Sequence, residues 1–457
     1  MSAFENEVLS RDDDLVASWI TRNLGKISRI ERQGRWRPAW YVDVLTDEGT
    51  LNLYVRGDRG GDVHTQPQPL TFEYEVLKIF AGSGLRVPRV FGYIEELDAI
   101  VMERLPGVPD VRNAATAQQA EAITSQFVDQ MILMHQVDPK KIETQGVYCP
   151  EDLSEVALAY YRRIEPLYVN SKNRPEPAIE FVRRWLERNK PVAPERAYTV
   201  AVDAGQFIFE GDRLTAMLDF EFVALGDYHS DLAVLRLRNR MERIGDLDSI
   251  YRQYAERSGF VVDFDRIRYH TVIHGVIPPM HMAENLGKPI ADMDYVQYST
   301  WNAVWLRVAL ESIAEINNWE PEIFEPPQLE NATRYSAVVD AMEVDFTRQQ
   351  PGDELGRYQR DKNLRTLRFL RRTEAFQPAF EQAYLEDVSA ITGSAPTNWY
   401  EADLVLEQYI LEVGPEQDEA LLRIFWRQLL RQCFLLSDPV DTTNNELLLT
   451  PLQRLDP

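Results

Sequence analysis

Acidic side chains that could hold a metal ion are concentrated between residues 201 and 231, in the stretch AVDAGQFIFEGDRLTAMLDFEFVALGDYHSD. An apolar, β-branched run ends near Asp203, and Gln206 follows three residues later. A β-hairpin predicted over 207–218 then delivers Asp219 and Glu221 to one side of a sheet, because side chains two residues apart on a strand share a face. Carboxylate and amide oxygens suit Mg²⁺, a hard cation that keeps some water and bridges phosphates. Asp and Gly also populate ordinary hairpin ends, so spacing alone leaves a purely structural interpretation open.

The sequence of this stretch resembles the catalytic segment of the aminoglycoside phosphotransferase-like kinases. In the branch nearest to this chain, that segment usually reads HGDAGPGNFLF, a hairpin, then (I/L)DWE, GDP and DLA, and here AVDAG, QFIF, LDFE and LGDYHSDLA stand in the same order. The resemblance implies that Asp203 is the catalytic residue that accepts the proton of the substrate hydroxyl. It also implies that Gln206 and Asp219 are the Mg²⁺ ligands and that ATP is the co-substrate.

The catalytic segment also departs from the family pattern. The family's His-Gly is Ala201 and Val202 here, its Asn is Gln206, and the Pro-Gly between them is missing. An alignment with a two-residue deletion preserves Asp-Ala-Gly and keeps Asp203 as the base. A gapless alignment puts Ala201 at the catalytic position and leaves no base, which would make the chain a degenerate kinase.

Nucleotide-binding residues are expected in the N-terminal part, where strands are predicted over 27–30, 40–45 and 51–56. The family covers the phosphates with a glycine-rich loop, and the corresponding loop here, QGRWRP, has the single glycine Gly34. Arg56 ends the third strand at the position of the phosphate-binding cation. Glu73, in FEYEVLKIFAGSGLRVPRVFGY, matches the helix Glu that pairs with that cation. The strand AIVMERLPG resembles the family's inter-lobe hinge, which implies that backbone groups near Glu103 and Leu105 contact adenine.

Helices are predicted over most of the rest of the chain. An amphipathic helix over 117–138 ends near His135, which we expect to be a structural hydrogen-bonding residue beside the catalytic loop. Helices over 10–25, 232–254, 264–283 and 300–317 are expected, with Pro278-Pro279 kinking or breaking the third of these four. That helix carries three weak candidates for contacts to the acceptor substrate, Tyr269, His270 and His274. The last of the four carries an aromatic and aliphatic stripe that we interpret as core, composed of Trp301, Val304, Trp305, Val308 and Ile313.

The resemblance predicts an α+β, two-lobed protein kinase-like fold with a small β-rich N-lobe and a mostly helical C-lobe. We expect a nucleotide-binding lobe over 1–104, a catalytic and substrate lobe over 105–325, and a helical C-terminal appendage over 326–457. The resemblance does not extend into the appendage, where helices are predicted over 330–347, 355–372, 379–389, 399–411 and 416–436. Its role is left open between oligomerisation and contact with a partner.

Composition limits the class of protein. The 457 residues carry a net charge of −24 and are 44% hydrophobic, which indicates folded cores and disfavours nucleic acid or an anionic membrane as the main partner. Cys149 and Cys433 are the only cysteines and lack metal-ligand spacing, so they fit a reducing compartment. The N-terminus has no signal-like apolar run, and no stretch is long enough for a membrane span. We therefore expect a soluble, cytoplasmic protein.

The sequence as a whole favours an ATP- and Mg²⁺-dependent small-molecule phosphotransferase. Its acceptor would be a hydroxylated small molecule, and the wording of the motifs is nearest to the branch associated with hydroxyacyl-CoA metabolism. The alternative is a catalytically degenerate kinase-like protein that binds nucleotide or scaffolds a partner. The altered catalytic loop and the single glycine of the phosphate loop favour that alternative.

Overall fold

The chain folds into a small β-rich lobe and a mostly helical lobe, followed by further helices. The computed structural model describes residues 3–34, 37–58, 68–147, 149–320, 322–325, 335–437, 448 and 450–455. The two-lobed architecture with a helical C-terminal extension confirms the predicted fold class.

The small lobe contains an antiparallel sheet of five strands in the order β1-β2-β3-β5-β4. The strands are β1 (Lys26–Arg32), β2 (Ala39–Thr46), β3 (Gly49–Gly57), β4 (Val90–Ile94) and β5 (Ala99–Glu103). The three predicted strands are confirmed, each with longer bounds. In the turn between β2 and β3, Thr46 pairs with Gly49.

Side chains along β3 point alternately to the two faces of the sheet. Leu53 and Val55 are fully buried, and they pack with Val16 and Ile20 of helix α1 (Ala3–Asn23). Tyr54 and Arg56 point to the other side, where helix α2 (Leu70–Gly82) also lies and where the cleft between the lobes opens. The alternation therefore places Arg56 in the cleft, while Leu53 and Val55 pack in the core of the small lobe.

The helical lobe carries four short strands around the predicted catalytic loop. They are β6 (Tyr198–Val200), β7 (Phe207–Glu210), β8 (Arg213–Met217) and β9 (Ala224–Gly226). β7 and β8 form the predicted hairpin, and β6 pairs with β9. The helices are α3 (Ala117–His135), α4 (Pro139–Glu143), α5 (Ala159–Ser171), α6 (Pro177–Arg188), α7 (His229–Met241), α8 (Leu247–Ser258), α9 (Phe264–Gly287) and α10 (Tyr295–Asn317).

The single helix predicted over 232–254 is wrong, because the chain breaks between α7 and α8. Gly245 adopts a φ of +152° there, and a Cβ at this position would lie 2.6 Å from the Thr124 hydroxyl. Asp246 then starts α8 as its N-cap, accepting a hydrogen bond from the Ser249 amide. A glycine and a new cap, rather than a loss of apolar periodicity, produce this break.

The prolines interrupt the helices less than expected. Helix α9 continues through Pro278 and Pro279, so a break at that point is wrong. The two helices predicted over 355–372 and 379–389 are one 39-residue helix, α12 (Glu354–Thr392), with Pro378 inside it. Phe376 and Phe380 flank that proline and pack around Phe434, so tertiary packing offsets the lost backbone hydrogen bond.

The C-terminal helices pack onto the helical lobe. Besides α12 they are α11 (Ser336–Arg348), α13 (Trp399–Glu412) and α14 (Asp418–Leu436), and α14 packs on α10 while α13 packs on α6. Cys433 of α14 is buried and Cys149 is half-buried. Among the described residues, no helix combines the length and the apolarity needed to cross a membrane.

Candidate active site

The predicted catalytic loop, between β6 and β7, is fixed in place by a buried carboxylate. Asp231 of α7 is fully buried and accepts hydrogen bonds of 2.8 Å from the backbone amides of Ala201 and Val202. His135 bonds the same carboxylate through Nε2 at 3.0 Å and contacts the Tyr254 hydroxyl through Nδ1 at 2.7 Å. His135 is therefore the structural hydrogen-bonding residue that the sequence predicts beside this loop.

The predicted catalytic and metal residues lie together at the end of the β7–β8 hairpin. Gln206 Nε2 donates to Asp203 Oδ2 and to Asp219 Oδ2, each at 2.9 Å. Asp219 follows β8 with a φ of +64°, and Val202 precedes Asp203 with a φ of +67°. Left-handed backbone is costly for a β-branched residue, so the Asp231 anchor holds Val202 in a conformation that it would not adopt alone.

Arg56 connects the small lobe to this cluster. It donates to Glu73 at 3.1 Å, which is the predicted pairing, and to Asp219 at 2.6 Å. It also lies 3.1 Å from Glu221, and Arg37 bonds both oxygens of Glu221 at 3.0 and 3.1 Å. A network of alternating charges therefore crosses the cleft between the lobes.

The network and its burial shift the pKa values of Glu73 and Asp219 in opposite directions. Burial raises the pKa of Glu73 to about 7, with Arg56 opposing the shift. Burial also opposes ionisation of Asp219, but Arg56 and then Arg37 hold the pKa of that carboxyl well below its usual range. Asp219 therefore stays ionised at neutral pH, as an ionic ligand must.

Arg238 of α7 is a site residue that the sequence reasoning missed. Its Nε donates to Asp203 Oδ1 at 2.7 Å, and its Nη2 contacts Asp203 Oδ2. Burial raises the pKa of Asp203 while Arg238 opposes that shift. The available signal was helical spacing: Arg238 lies seven residues after Asp231, so both side chains share the face of α7 that meets the catalytic loop.

A cavity of about 450 Å³ lies between the lobes. Arg56, Glu73, Glu103 and Leu105 line it, as do Gln206 and Asp219 at its inner end. Glu103 already donates its backbone amide to the Arg89 carbonyl at 2.8 Å. Four of the five residues predicted to bind the nucleotide therefore lie on one cavity.

Gly34 does not line that cavity. A Cβ at Gly34 would lie 2.8 Å from the Glu354 carbonyl and 3.0 Å from Tyr358 Cβ, so the loop packs against the first turns of α12. Arg35 and Trp36 of the same loop lie outside the described residues. The predicted contact of Gly34 with nucleotide phosphates stays a prediction.

A second cavity, of about 260 Å³, shares Gln206 and Asp219 with the first. Asp203 and Arg238 line it together with aromatic residues from α5, α9 and α10. His274 is the weak acceptor candidate that lies on its wall. His270 is buried away from the cavity, and Tyr269 is buried with its hydroxyl on the Leu186 carbonyl at 3.0 Å.

The stripe on α10 that was interpreted as core divides in two. Val304, Val308 and Ile313 are buried, as expected. Trp301 and Trp305 are half-buried; they pack against core residues and also line the second cavity, so for them the interpretation as core is incomplete. A stripe of helical period places side chains on one face but does not tell whether that face meets a core or a cavity wall.

The donor set at the junction of the two cavities fits Mg²⁺. Asp219 offers carboxylate oxygens and Gln206 an amide oxygen, which is the ligand type that this cation prefers. Gln206 turns its Nε2 to the two carboxylates, so its amide must rotate before Oε1 can bind a metal. The described residues contain no group of three or more His, Cys, Asp or Glu side chains arranged for a metal. A site with few protein ligands suits Mg²⁺, which usually keeps water and shares phosphate oxygens.

Comparison with known proteins identifies the family. The sequence profile described as the phosphotransferase enzyme family matches residues 42–270, which is half of the chain. The chain therefore belongs to that family. The matched range contains each of the predicted site residues except Gly34. No curated protein matches the chain.

Solved structures with a similar chain path are also phosphotransferases. A thermostable mutant of aminoglycoside phosphotransferase APH(4)-Ia, in ternary complex with ADP and hygromycin B, is 14% identical, with 64% of this chain and 98% of that chain covered and a TM-score of 0.46. The macrolide 2'-phosphotransferase MphH from Brachybacterium faecium is 18% identical, with the same coverage and a TM-score of 0.45. An aminoglycoside-3'-phosphotransferase of type VIII is 20% identical over 56% of this chain and 96% of that chain, with a TM-score of 0.41.

Proposed function

We propose that this protein transfers the γ-phosphoryl group of ATP to a hydroxyl group of a small molecule, with Mg²⁺. The observation that supports the proposal is that two cavities share Gln206 and Asp219 and that Asp203 lines only the second. A nucleotide in the first cavity and an alcohol in the second would meet at these residues. Membership of the phosphotransferase enzyme family supports the same reaction class.

The cleft between the lobes is the proposed nucleotide site. Arg56 is held by Glu73 and would meet the phosphates, a role that its planar fork of donors suits. Backbone groups near Glu103 and Leu105 would meet adenine. In this proposal residues 1–104 form the nucleotide-binding lobe and 105–325 form the catalytic and substrate lobe.

Asp203 would orient the acceptor hydroxyl and take its proton. The hydroxyl oxygen forms a bond to the γ-phosphorus, the bond from that phosphorus to the β,γ-bridging oxygen breaks, and ADP leaves. The guanidinium group of Arg238 bonds both oxygens of the Asp203 carboxylate, which fixes the orientation of that carboxylate. Gln206 and Asp219 would hold Mg²⁺, which when bound neutralises the phosphate charge.

A catalytically degenerate, nucleotide-binding protein is the second candidate. Asp203 supports it, because both of its carboxylate oxygens already accept hydrogen bonds from Arg238 and Gln206. Replacement of the family's His-Gly by Ala201 and Val202 also supports it. In that case the protein would bind Mg²⁺-ATP without transferring its phosphate. It would then resemble the hydroxyacyl-CoA branch in sequence but not in activity.

Asp203→Asn separates the two candidates. We expect ADP formation with a pool of hydroxylated acceptors to fall about a thousandfold, because Asn keeps the shape and loses the base. Affinity for Mg²⁺-ATP should stay within about twofold, since Asp203 does not line the nucleotide cavity. ADP formation that is equal in the variant and the wild type would contradict the proposed role of Asp203. Nucleotide binding with no ADP formation in either protein would favour the degenerate candidate.

A further inference from the structure

Aromatic side chains form a large part of the walls of the second cavity. His281 of α9 stacks on Phe222 with ring centres 6.2 Å apart and meets the Tyr160 ring edge-on at 6.4 Å. On another wall, Tyr298 and Trp301 of α10 lie 5.4 Å apart, and Trp305 follows one helical turn later. Flat apolar faces therefore surround the space that reaches Asp203.

The carboxylates of this cavity are all bonded to guanidinium groups. Asp203 is bonded to Arg238, Asp219 to Arg56, and Glu221 to Arg37 and Arg56. Each of these acids is therefore neutralised from within the protein. An ammonium group on a ligand would have to displace an arginine before it could form an ion pair here.

A guanidinium group with no acidic partner in the described part of the chain lies next to one wall residue of this cavity. Arg163 of α5 lies 6.0 Å from the centre of the Tyr160 ring and has no acidic partner among the described residues. His274, on the same cavity, is buried next to His270, and together these effects lower its pKa to about 4, so it adds no charge at neutral pH. Among the described residues, the cavity therefore offers no unpaired carboxylate to a positively charged ligand, and Arg163 adds a positive charge next to Tyr160 on its wall.

We propose that the acceptor is an alcohol on an aromatic or apolar body that carries no positive charge. This inference rests on the proposed phosphotransferase function and assigns the substrate class of its acceptor cavity. The aromatic walls would bury the body of the ligand, and the hydroxyl would reach Asp203. The volume of about 260 Å³ suits one aromatic ring with a short chain, whereas a polycationic aminoglycoside would bring several ammonium groups to a cavity that neutralises none of them.

A set of matched alcohols tests the inference. Phenylpropanol, phenyllactate and phenylalaninol present the same ring and a hydroxyl with no charge, a negative charge and a positive charge. Choline and hygromycin B test small and multiple cations, because aromatic faces alone can also hold a cation. We expect kcat/KM for phenylpropanol or phenyllactate to exceed that for phenylalaninol, choline and hygromycin B by about tenfold or more.

A pair of variants at one wall position supplies the control. Trp305→Glu adds a carboxylate without a guanidinium partner. Trp305→Gln introduces a side chain of the same shape as Glu but without its charge. The ratio of kcat/KM for phenylalaninol to that for phenylpropanol should rise about tenfold or more in Trp305→Glu relative to Trp305→Gln. Mg²⁺-ATP binding by each variant verifies that it is folded.

Preference of the wild type for phenylalaninol, choline or hygromycin B would overturn the inference. So would the lack of transfer to both phenylpropanol and phenyllactate in a protein that binds Mg²⁺-ATP, and in that case the phosphotransferase proposal would still stand. Failure to bind Mg²⁺-ATP would instead contradict the proposed function on which the inference rests.

Discussion

Asp203, Gln206 and Asp219 show what can be read from residue types and spacing. A strand end, a short turn and a hairpin bring Asp203 and Asp219 to the same amide, that of Gln206, and local geometry suffices for that. For Arg238 the sequence offered only its helical spacing from Asp231, because the contact with Asp203 itself depends on how α7 packs against the loop. The pairing of Arg37 also could not be predicted, since its partner Glu221 is 184 positions further along the chain. Long-range ion pairs carry no local signature.

At the residue scale, the orientation of Asp203 by Arg238 predicts a selective effect on turnover. Arg238→Gln removes two bonds to the carboxylate, so kcat should fall about a hundredfold. KM for ATP should be nearly unchanged, because Arg238 does not line the nucleotide cavity. Steady-state kinetics on a protein with an unchanged circular dichroism spectrum measures both quantities.

Arg243→Gln is the matched control, since Arg243 is exposed just after α7. That variant should keep the wild-type kcat. A kcat of Arg238→Gln that matches the control would show that Asp203 needs no partner on α7.

At the element scale, helix boundaries depended on features that periodicity does not report. The hairpin of β7 and β8 was predictable because turn residues and alternation agree. Helices α9 and α12 run through prolines because their neighbours on α10 and α14 hold them in place. The tryptophans of α10 were assigned to a core because a helical stripe carries no information about the cavity next to it.

Asp294 is expected to be an important link between α10 and α12. It caps α10 by accepting from the Gln297 amide, and it accepts from Tyr358 at 3.1 Å and Arg365 at 2.6 Å. Asp294→Ala removes the cap and leaves Arg365 without its acid, so the free energy of unfolding should fall by about 3 kcal/mol. Urea denaturation measures this change.

Asp292→Asn serves as the control for Asp294→Ala. Asp292 is exposed and has a φ of +62°, which Asn tolerates, and Lys362 contacts only its backbone carbonyl. Its unfolding free energy should remain within about 0.5 kcal/mol of wild type. Equal stability of the two variants would mean that the bonds to α12 contribute little.

At the scale of the whole molecule, composition indicated folded cores and an acidic surface but not how the appendage is attached. The attachment depends on buried and half-buried acids, such as Glu407 of α13, which bonds Lys172 at 2.7 Å. A net charge of −24 does not reveal which carboxylates are buried, because burial is decided by packing. The appendage therefore could be predicted as helices but not as an integral part of the helical lobe.

Burial raises the pKa of Asp403, on α13, to about 7, and Tyr384 donates a hydrogen bond to it at 2.6 Å. A carboxyl whose pKa is higher in the folded than in the unfolded state binds its proton more tightly when folded. Its contribution to stability is therefore lost as pH rises from about 4 to about 7. Between pH 5 and pH 8, Asp403 should lower the free energy of unfolding by about 2 to 3 kcal/mol.

Asp403→Asn removes this titration and should raise the melting temperature at pH 8 more than at pH 5. Glu401→Gln, on the exposed first turn of the same helix, should leave the change in melting temperature between these pH values as in wild type. If Asp403→Asn shows the same change in melting temperature as wild type, the carboxyl titrates in its ordinary range.

The most direct test of the central claim is the melting temperature with ATP, ADP or GTP, each with and without Mg²⁺. We predict an ATP-induced increase that depends on Mg²⁺, because a ligand at a hundred times its Kd stabilises the folded state by about 2.7 kcal/mol. Asp219→Ala should abolish the Mg²⁺-dependent part, whereas Glu103→Ala should retain it, since only backbone groups are proposed to contact adenine there. No shift of the wild type with any nucleotide would contradict the account.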